Sequence, residues 1–264
     1  MNIIADRPLS GKGVLVTRAK PQNAELCERI EQLGGVAYEF PTIRIVEPPS
    51  YAALDAALNR LKDFHWIVFT SVNAVDYFFR RLNTHLGNDY RQLDHARIAA
   101  NGPKTANALR EKGLTVTVSP NEYRAEVLLS ELERQVKTGE KILLPRANIA
   151  RNVLPEGLRA IGCDVVDVDA YHTEVASEGA ADVAQMLMAG AVDIVTFTSS
   201  STVRNFVHIL DGTGLPWREG MRRVSVACIG PLTADTAKDL GLEVASVATD
   251  YTIDGLIEAM LQIV

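Results

Sequence analysis

Short, mostly apolar runs alternate along the chain with segments in which apolar residues recur every three or four positions. Two such runs, Trp66–Phe69 and Ile194–Phe197, have the pattern of strands buried on both faces of a parallel sheet. Each run is followed by hydroxyl side chains and then by a helical pattern, which predicts a strand, a turn and a helix. Hydroxyl residues at such a turn can cap the helix or help its first N–H groups bind an anion; for a single turn, capping is the simpler interpretation.

One constant shift relates the two halves of the chain. Phe69 and Phe197 lie 128 positions apart, and the same shift superposes Asn101–Ala106 on Ile229–Ala234. Further residues paired by this shift are Arg18 with Arg146, Tyr123 with Tyr251 and Leu128 with Leu256. Because one offset accounts for many separate motifs, we infer a tandem duplication of one α/β unit.

Strand and helix patterns alternate through both copies. The other predicted strands are Val14–Val16, Val36–Phe40, Arg97–Ala100, Thr115–Val118, Lys141–Leu144, Val165–Val168, Val224–Cys228 and Glu243–Val247. The predicted helices include Lys104–Lys112, Arg124–Val136, Arg151–Ile161, Val183–Leu187, Pro231–Leu240 and Ile253–Leu261. Pro21 suits the first turn of an earlier helix, and Asn83–His95 is predicted to be a loop. Single helices between strands indicate parallel sheets with helices on both faces, as in a flavodoxin-like fold.

Two extended segments, Pro41–Val46 and Asp169–Thr173, begin at equivalent points of the two copies. The copies could form consecutive domains or could exchange halves, and the extended segments favour exchange through a two-stranded linker. The predicted domains are therefore discontinuous. They comprise residues 1–40 with 175–264 and residues 47–168, with 41–46 and 169–174 as linker strands.

The composition limits the classes of function. A chain of 264 residues suits about two domains, and a net charge of −6 without any basic run argues against nucleic-acid binding. The three cysteines, Cys27, Cys163 and Cys228, lie far apart without metal-ligand spacing, so we expect reduced thiols and no metal site. The sequence shows neither a secretory signal pattern nor a run of about 20 apolar residues, which predicts a soluble, cytoplasmic protein with no membrane partner.

Common cofactor and catalytic motifs are missing from the sequence. No strand leads into GxGxxG, and Gly102–Thr105 resembles the end of a P-loop but has Pro103 where that loop needs glycine. HExxH and GxSxG are also missing, and the five histidines are scattered. Hydroxyl-rich and glycine-containing turns remain, at Thr70–Asn73, Asn101–Thr105, Thr198–Thr202 and Ile229–Thr233.

In a doubly wound domain these turns lie at the carboxyl ends of strands, which is the side where ligands bind. Two such sides facing each other across a hinge would form a cleft. Backbone N–H groups, hydroxyls and arginines suit a ligand that carries several carboxylates or phosphates. Arg18 and Arg146, at equivalent first-strand ends, are candidates for this role, with a surface ion pair as an equally weighted alternative.

Four motifs together resemble the uroporphyrinogen-III synthase family over essentially the whole chain. These motifs are Val68–Val75, Leu144–Arg146, Ala170–Thr173 and Ile229–Ala234. The resemblance implies two flavodoxin-like domains with exchanged halves and a two-stranded linker, in a monomer that uses neither cofactor nor metal. It also implies that the linear tetrapyrrole hydroxymethylbilane is closed to uroporphyrinogen III with inversion of its last pyrrole ring, in tetrapyrrole and haem biosynthesis. Transient contact with hydroxymethylbilane synthase, the preceding enzyme, is a further expectation.

The reaction of that family implies roles for individual residues. Water leaves the hydroxymethyl group to give an azafulvene, the substituted carbon of the last ring attacks to form a spiro-pyrrolenine, and fragmentation with re-closure reverses that ring. Tyr171 matches the family's linker tyrosine and is the expected acid, with packing against a domain as its equally weighted alternative. The expected substrate-binding residues, which would hold acetate and propionate groups, are Arg18, Ser71, Gly102, Thr105, Arg146, Arg151, Ser199, Gly230 and Thr233.

A second class of function stays open at this point, namely a non-enzymatic two-lobed binding protein for an anionic metabolite. The same hinge and the same turns would serve it. The lack of a secretory signal and of a DNA-binding extension disfavours a periplasmic receptor and a repressor. A nucleotide-sugar transferase with two α/β lobes would need a longer chain and a nucleotide pocket. Turnover of the bilane distinguishes an enzyme from a binder.

Overall fold

The computed structural model describes residues 7–20, 23–87 and 90–264, and the chain folds into two compact units. Unit 1 consists of the described residues of Met1–Arg44 together with Glu174–Val264, and unit 2 consists of those of Ile45–Thr173. The chain therefore passes from one unit to the other twice. Both passages fall within segments that the sequence analysis assigned to a linker.

Strands and helices alternate along the described chain. The strands are β1 (Gly13–Val16), β2 (Val36–Glu39), β3 (Ile43–Val46), β4 (Trp66–Phe69), β5 (Arg97–Ala100), β6 (Val116–Val118), β7 (Lys141–Ala147), β8 (Asp164–Val175), β9 (Ile194–Phe197), β10 (Ser225–Cys228) and β11 (Val244–Val247). The helices are α1 (Ala24–Gln32), α2 (Ala52–Leu58), α3 (Val72–Leu86), α4 (Pro103–Glu111), α5 (Ala125–Glu133), α6 (Val153–Ala160), α7 (Ala180–Ala189), α8 (Ser200–Asp211), α9 (Trp217–Met221), α10 (Pro231–Asp239) and α11 (Ile253–Leu261).

The sheet of unit 1 has the strand order β11-β10-β9-β1-β2 among the residues described, and neighbouring strands run parallel. When the five strands are numbered by their position along the chain, this is the order 2-1-3-4-5 of a flavodoxin-like sheet. The predicted class, a parallel α/β fold, is confirmed. Two of its strands come from the first copy of the duplication and three from the second.

The second sheet has the order β3-β8-β7-β4-β5-β6 in the part of the chain that the structure describes, and its pairs from β8 to β6 are parallel. If β7 and β8 are numbered 1 and 2, and β4, β5 and β6 are numbered 3, 4 and 5, the order from β8 to β6 is again 2-1-3-4-5. Equivalent elements start 128 positions apart, as β4 and β9, β5 and β10, and α4 and α10 do. Each sheet thus joins the first two strands of one copy to later strands of the other copy.

Helices cover both faces of each sheet because side chains alternate along a strand and both sets are apolar. In β1, Leu15 packs into one hydrophobic layer of unit 1, whereas Val14 and Val16 pack into the layer on the opposite face. Strand β4 of unit 2 divides in the same way, with Phe69 on one face and Val68 on the other. The two layers account for the long apolar runs of the sequence.

Helix α3 extends further than the pattern predicted, and this corrects the expected loop at Asn83–His95. The helix continues to Leu86 and ends at Gly87, whose φ of 79° is in the left-handed region. A short 3₁₀ helix, Tyr90–Leu93, follows, and the Tyr90 ring packs against Phe79 with 4.9 Å between centroids. Pro21, predicted in a first helical turn, lies outside the described residues.

Strand β8 is longer than the predicted strand Val165–Val168. The following segment continues the same strand to Val175. Its backbone pairs with β7 as far as Tyr171, and β3 is its neighbour on the other side. Strand β7 is also longer than predicted and includes Pro145. A proline is accommodated there because β4 pairs with β7 at Ile142 and Leu143, before the proline is reached, so no bond to β4 is lost.

The packing of α8 makes a prediction about stability. Phe206 is fully buried, and its ring contacts Phe40, Phe197 and Trp217 at centroid distances of 6.1, 5.3 and 5.6 Å. We expect Phe206→Ala to lower the free energy of unfolding by about 3–5 kcal/mol, because the surrounding rings cannot fill the cavity. Urea unfolding followed by circular dichroism measures this. Arg204→Ala, on the exposed face of the same helix, is the control, and equal losses for the two variants would contradict the packing argument.

Candidate functional site

The parallel strands of each sheet all have their carboxyl ends on the same side of the sheet. We call the turns on that side the rim of the unit; they follow β1, β9, β10 and β11 in unit 1 and β7, β4, β5 and β6 in unit 2. In each unit the second strand lies on one side of the first strand and the later strands lie on the other, so the strand order reverses between β1 and β9 and between β7 and β4. Ligands of doubly wound sheets bind at such a reversal, so each rim is a candidate site.

The predicted residues are divided between the two rims. The rim of unit 1 contains Arg18, Ser199, Gly230 and Thr233. Unit 2 contains Ser71, Gly102, Thr105, Arg146 and Arg151, together with Tyr171 on strand β8. Both units therefore carry hydroxyl, glycine and arginine residues at the carboxyl ends of their strands.

Ser71 and Tyr171 form a hydroxyl pair in unit 2. The Ser71 Oγ atom lies 3.1 Å from the phenol oxygen of Tyr171 and also accepts the N–H of Ala74 at 3.1 Å as the N-cap of α3. Because the Ser71 oxygen accepts a hydrogen bond from the backbone of α3, its hydroxyl has a defined position. The serine thus connects a helix N-terminus to the phenol.

The Tyr171 side chain is mostly buried, with 6% of its surface exposed, and it belongs to a hydrophobic layer of unit 2. Its ring lies 5.6 Å from the ring of Tyr77, whose hydroxyl donates to the carbonyl of Ile45 at 3.2 Å. The residue therefore packs against a unit, as one of its two predicted roles requires, while its hydroxyl still lies beside Ser71.

Ser199 takes the position of Ser71 in unit 1 but has different partners. It caps α8 in a capping box with Thr202, and its Oγ lies 2.9 Å from the Oγ of Ser201. The next residue, Ser200, donates to the carbonyl of Leu232 at 2.9 Å. The rim of unit 1 is thus connected by hydroxyl groups from one helix N-terminus to the next.

Two of the rim helices begin at glycine. Gly102 precedes α4 and Gly230 precedes α10, and neither helix has a side chain that caps its first N–H groups within the described residues. Uncapped N–H groups with the positive end of the helix dipole suit a carboxylate. Thr105 and Thr233 are 3% and 5% exposed, and Gly102 and Gly230 are buried as well. The N–H of Gly102 donates to the Ala100 carbonyl at 3.0 Å, so the exposed part of these turns is the first turn of each helix, at Lys104 and at Leu232.

Arg146 is a structural clamp in this conformation. Only 8% of the residue is exposed, and its guanidinium binds the Asp167 carboxylate through two N–H···O bonds. The remaining three N–H groups donate to the Ala150 carbonyl, the Arg151 carbonyl and the Asn152 amide oxygen. All five donors of the side chain are therefore used within unit 2, where they hold the turn after β7.

The other two arginines have more open environments. Arg151 forms an exposed ion pair with Glu126 at 2.7 Å, and the hydrogen bond from Arg151 holds the pKa of that carboxyl below its usual range. A ligand carboxylate could replace Glu126 at little cost, since exposed pairs are weak. Burial lowers the pKa of the Arg18 guanidinium, with the Glu25 carboxylate opposing the shift. A partly desolvated cation of this kind gains more from an anion than an exposed one does.

Other kinds of site are not found in the described part of the chain. No group of three or more His, Cys, Asp or Glu side chains there is arranged to hold a metal ion. None of its helices combines the length and hydropathy that a bilayer crossing requires. The three cysteines are unpaired, and burial raises the pKa of Cys228 to about 12, which keeps that thiol protonated.

Comparison with known families agrees with this arrangement. A family model described as uroporphyrinogen-III synthase HemD matches residues 24–258. The chain belongs to the uroporphyrinogen-III synthase family. The match includes the rim turns of both units that follow residue 24, so the family assignment covers both copies of the duplication.

Relatives in this synthase family match along the whole chain. A uroporphyrinogen-III synthase from Synechococcus elongatus is 33% identical over 261 residues, which cover 98% of each protein. The porphyrin biosynthesis protein HemD from Ruminiclostridium josui is also 33% identical, over 97% of this chain and 49% of its own length. The chain thus spans about half the length of the second relative.

A solved structure of the family shows the same fold. A mutant uroporphyrinogen III synthase from Thermus thermophilus superposes with a TM-score of 0.65, and the match covers 95% of this chain and 98% of that one. The sequence identity is 20%. At this identity the likeness supports the fold, and the roles of individual residues must come from the geometry of this chain.

Three contacts of the rims have no signal in the local sequence patterns. The Ser71–Tyr171 pair joins residues 100 positions apart, and no local pattern signals such a pair. The rings of Tyr123 and Tyr251 lie against the rim glycines Gly102 and Gly230. The shift of 128 positions relates the two tyrosines to each other, but only the folded chain shows what each ring contacts.

The two arginines of the turn after β7 provide a matched pair of variants. We expect Arg146→Met to lower the free energy of unfolding by about 3 kcal/mol, because it leaves the Asp167 carboxylate and three loop acceptors without their donor. Arg151→Met removes an exposed ion pair and should change stability little. Urea unfolding of both variants measures the difference, and a small loss for Arg146→Met would show that it is not a structural clamp.

Proposed function

We propose that this protein closes hydroxymethylbilane to uroporphyrinogen III with inversion of the last pyrrole ring. The observation that carries the proposal is the family match over residues 24–258, together with a synthase relative that is 33% identical over 98% of both chains. The substrate would be a linear tetrapyrrole with acetate and propionate side chains. The non-enzymatic binder of an anionic metabolite has no comparable support.

Substrate binding is proposed to use the rims of both units. In unit 2 the uncapped N–H groups in the first turn of α4 and the exposed Arg151 would bind carboxylates, and in unit 1 those in the first turn of α10 and the partly desolvated Arg18 would do so. Charge-assisted hydrogen bonds of this kind explain how an acidic protein can bind an anion, since local donors decide the interaction. Arg146 would act indirectly, by holding the turn that presents Arg151.

The proposed acid is Tyr171, and Ser71 prepares it. The Ser71 oxygen accepts the Ala74 N–H, so its own proton can point to the phenol oxygen 3.1 Å away. The phenol then keeps its proton for the departing hydroxyl of the substrate, which leaves as water. The tyrosinate regains a proton when the re-closed ring loses one and becomes a pyrrole again. General acid assistance of this kind contributes about 10²–10⁴-fold to a rate.

Selectivity for the inverted product is proposed to come from orientation. Spontaneous closure gives the uninverted isomer, so the protein must favour attack by the substituted carbon of the last ring over attack by the unsubstituted one. Holding the carboxylates of a flexible chain at fixed donors lowers the entropy cost of the reactive conformation. The proposed binding turns are the starts of α4 and α10, and these helices are fixed by packing into one hydrophobic layer of their units.

The setting of the reaction follows the family expectation. We propose that the protein acts in the cytoplasm as a monomer, without metal or cofactor. Transient contact with hydroxymethylbilane synthase would let the unstable bilane pass on before it closes spontaneously. We also propose that residues 41–46 and 169–174 are the linker strands between the two discontinuous domains.

The activity is tested with hydroxymethylbilane made in the assay by hydroxymethylbilane synthase. The products are oxidised and the porphyrin isomers are separated by chromatography. We expect the inverted isomer to predominate when the protein is present, and the uninverted isomer to form in the control without it. If the protein yields only the uninverted isomer, the proposed function is wrong.

The role of Tyr171 is tested by Tyr171→Phe with Tyr77→Phe as its control. Both variants lose a phenol that has one hydrogen-bond partner, but only the first loses the group beside Ser71. We expect Tyr171→Phe to lower kcat by at least about 100-fold with a small change in KM, because the acid is lost while the binding turns stay intact. Tyr77→Phe should keep kcat within about threefold. Full turnover by Tyr171→Phe would assign Tyr171 a packing role.

A further inference from the structure

We infer that Tyr123 and Tyr251 bind pyrrole rings of the substrate through the faces of their aromatic rings, each at the rim of its own unit. The inference rests on the proposed function, because it names the groups that hold the apolar part of the bilane. The N–H and guanidinium donors of the rims would bind the carboxylates of the substrate. The pyrrole rings between those carboxylates need apolar or aromatic partners.

The two tyrosines occupy the same place in the two units. Tyr123 follows the edge strand β6, and Tyr251 follows the edge strand β11. The Cδ1–Cε1 edge of the Tyr123 ring lies so close to Gly102 that a Cβ at this position would overlap it. The same edge of Tyr251 lies 3.3–3.5 Å from the corresponding point at Gly230. Each ring is therefore seated against the glycine that starts a rim helix.

Packing does not explain why both copies have an aromatic residue at this position. The shift of 128 positions aligns three identical aromatic pairs, namely Phe69 with Phe197, Phe78 with Phe206 and Tyr123 with Tyr251. The four phenylalanines are fully buried, so core packing requires them. The two tyrosines are 57% and 67% exposed, and neither hydroxyl has a hydrogen-bond partner among the described residues. Two exposed rings kept at one position of a diverged duplication indicate a function at the surface.

The chemistry of the neighbourhood indicates the ligand. Each ring edge touches the glycine turn, where uncapped N–H groups of α4 or α10 suit a carboxylate. A ligand with an anionic group at the turn would place whatever carries that group over the tyrosine. In the bilane, acetate and propionate groups are attached directly to pyrroles, which are flat, electron-rich rings. Stacking or edge-to-face contact of two such rings is favourable beyond the area it buries.

The same arrangement requires glycine at position 102. A Cβ at position 102 would overlap the Tyr123 ring, and the φ of 92° there is in the left-handed region. At position 230 the backbone is extended, with φ of −175°, so only the nearness of the Tyr251 ring limits the side chain. Gly102 and Gly230 are themselves buried, so their contribution to binding is to seat the two rings.

The inference is tested by steady-state kinetics on Tyr123→Leu and Tyr251→Leu, with Tyr123→Phe and Tyr251→Phe as conservative variants. We expect each leucine variant to raise KM for hydroxymethylbilane about 5- to 10-fold with kcat within about twofold, since ring contact is lost and the acid is untouched. The phenylalanine variants keep the ring and should stay within about twofold of the wild type. Met188→Ala, which trims an exposed apolar side chain of α7 outside the rims, is the control.

The results distinguish a binding role of the two tyrosines from a structural role. Unchanged KM in both leucine variants would overturn the inference, and so would a loss of kcat and thermal stability without a rise in KM, which indicates a structural role. Phenylalanine variants as impaired as the leucine variants would overturn the ring contact, because the hydroxyl would then be the binding group. If the wild type gives only the uninverted isomer, the proposed function fails, and this inference fails with it.

Discussion

Burial of both faces of short parallel strands is the constraint on which the rest of this structure depends. Strands of four residues, such as β1, β4 and β9, contribute few hydrogen bonds each, and the helices packed on both sides keep them in register. Parallel pairing then places the carboxyl ends of the paired strands on the same side of each sheet, and the connecting helices begin there. The rim, with its N–H groups, its hydroxyls and its glycines, is a consequence of how the core is buried.

Burial also separates residues that look alike in the sequence. Arg146 and Arg151 are five positions apart, but the first is buried with all five donors in use, whereas the second is exposed and paired with one carboxylate. The buried arginine holds the turn after β7, and the exposed one is the proposed ligand contact. Tyr171 combines both properties, because its ring packs inside unit 2 while its hydroxyl contacts Ser71 at a helix N-terminus.

The two rims share a set of features because of the duplication, and they differ in what contacts the capping serine. Both have a serine cap, a glycine turn followed by proline, and an exposed tyrosine seated on that glycine. Among the described residues, a phenol lies beside the capping serine in unit 2 alone. The position equivalent to Tyr171 is Ile43, which has no hydroxyl, and the capping Ser199 contacts Ser201 instead. The proposed binding features are thus shared by the copies, whereas the proposed proton donor occurs in one.

The amino-acid sequence by itself determined the α/β class, the duplication and the positions of the rim turns, because these depend on local periodicity and on a repeat that is visible in the sequence. It did not determine where α3 ends, since a glycine outside the apolar pattern sets that end. It also left Arg146 as either ligand donor or ion pair, because the acceptors around a buried guanidinium come from residues up to 21 positions away. The Ser71–Tyr171 pair and the rings on Gly102 and Gly230 were decided only by the tertiary structure, since contacts between distant segments depend on strand order and packing, which local sequence patterns do not encode.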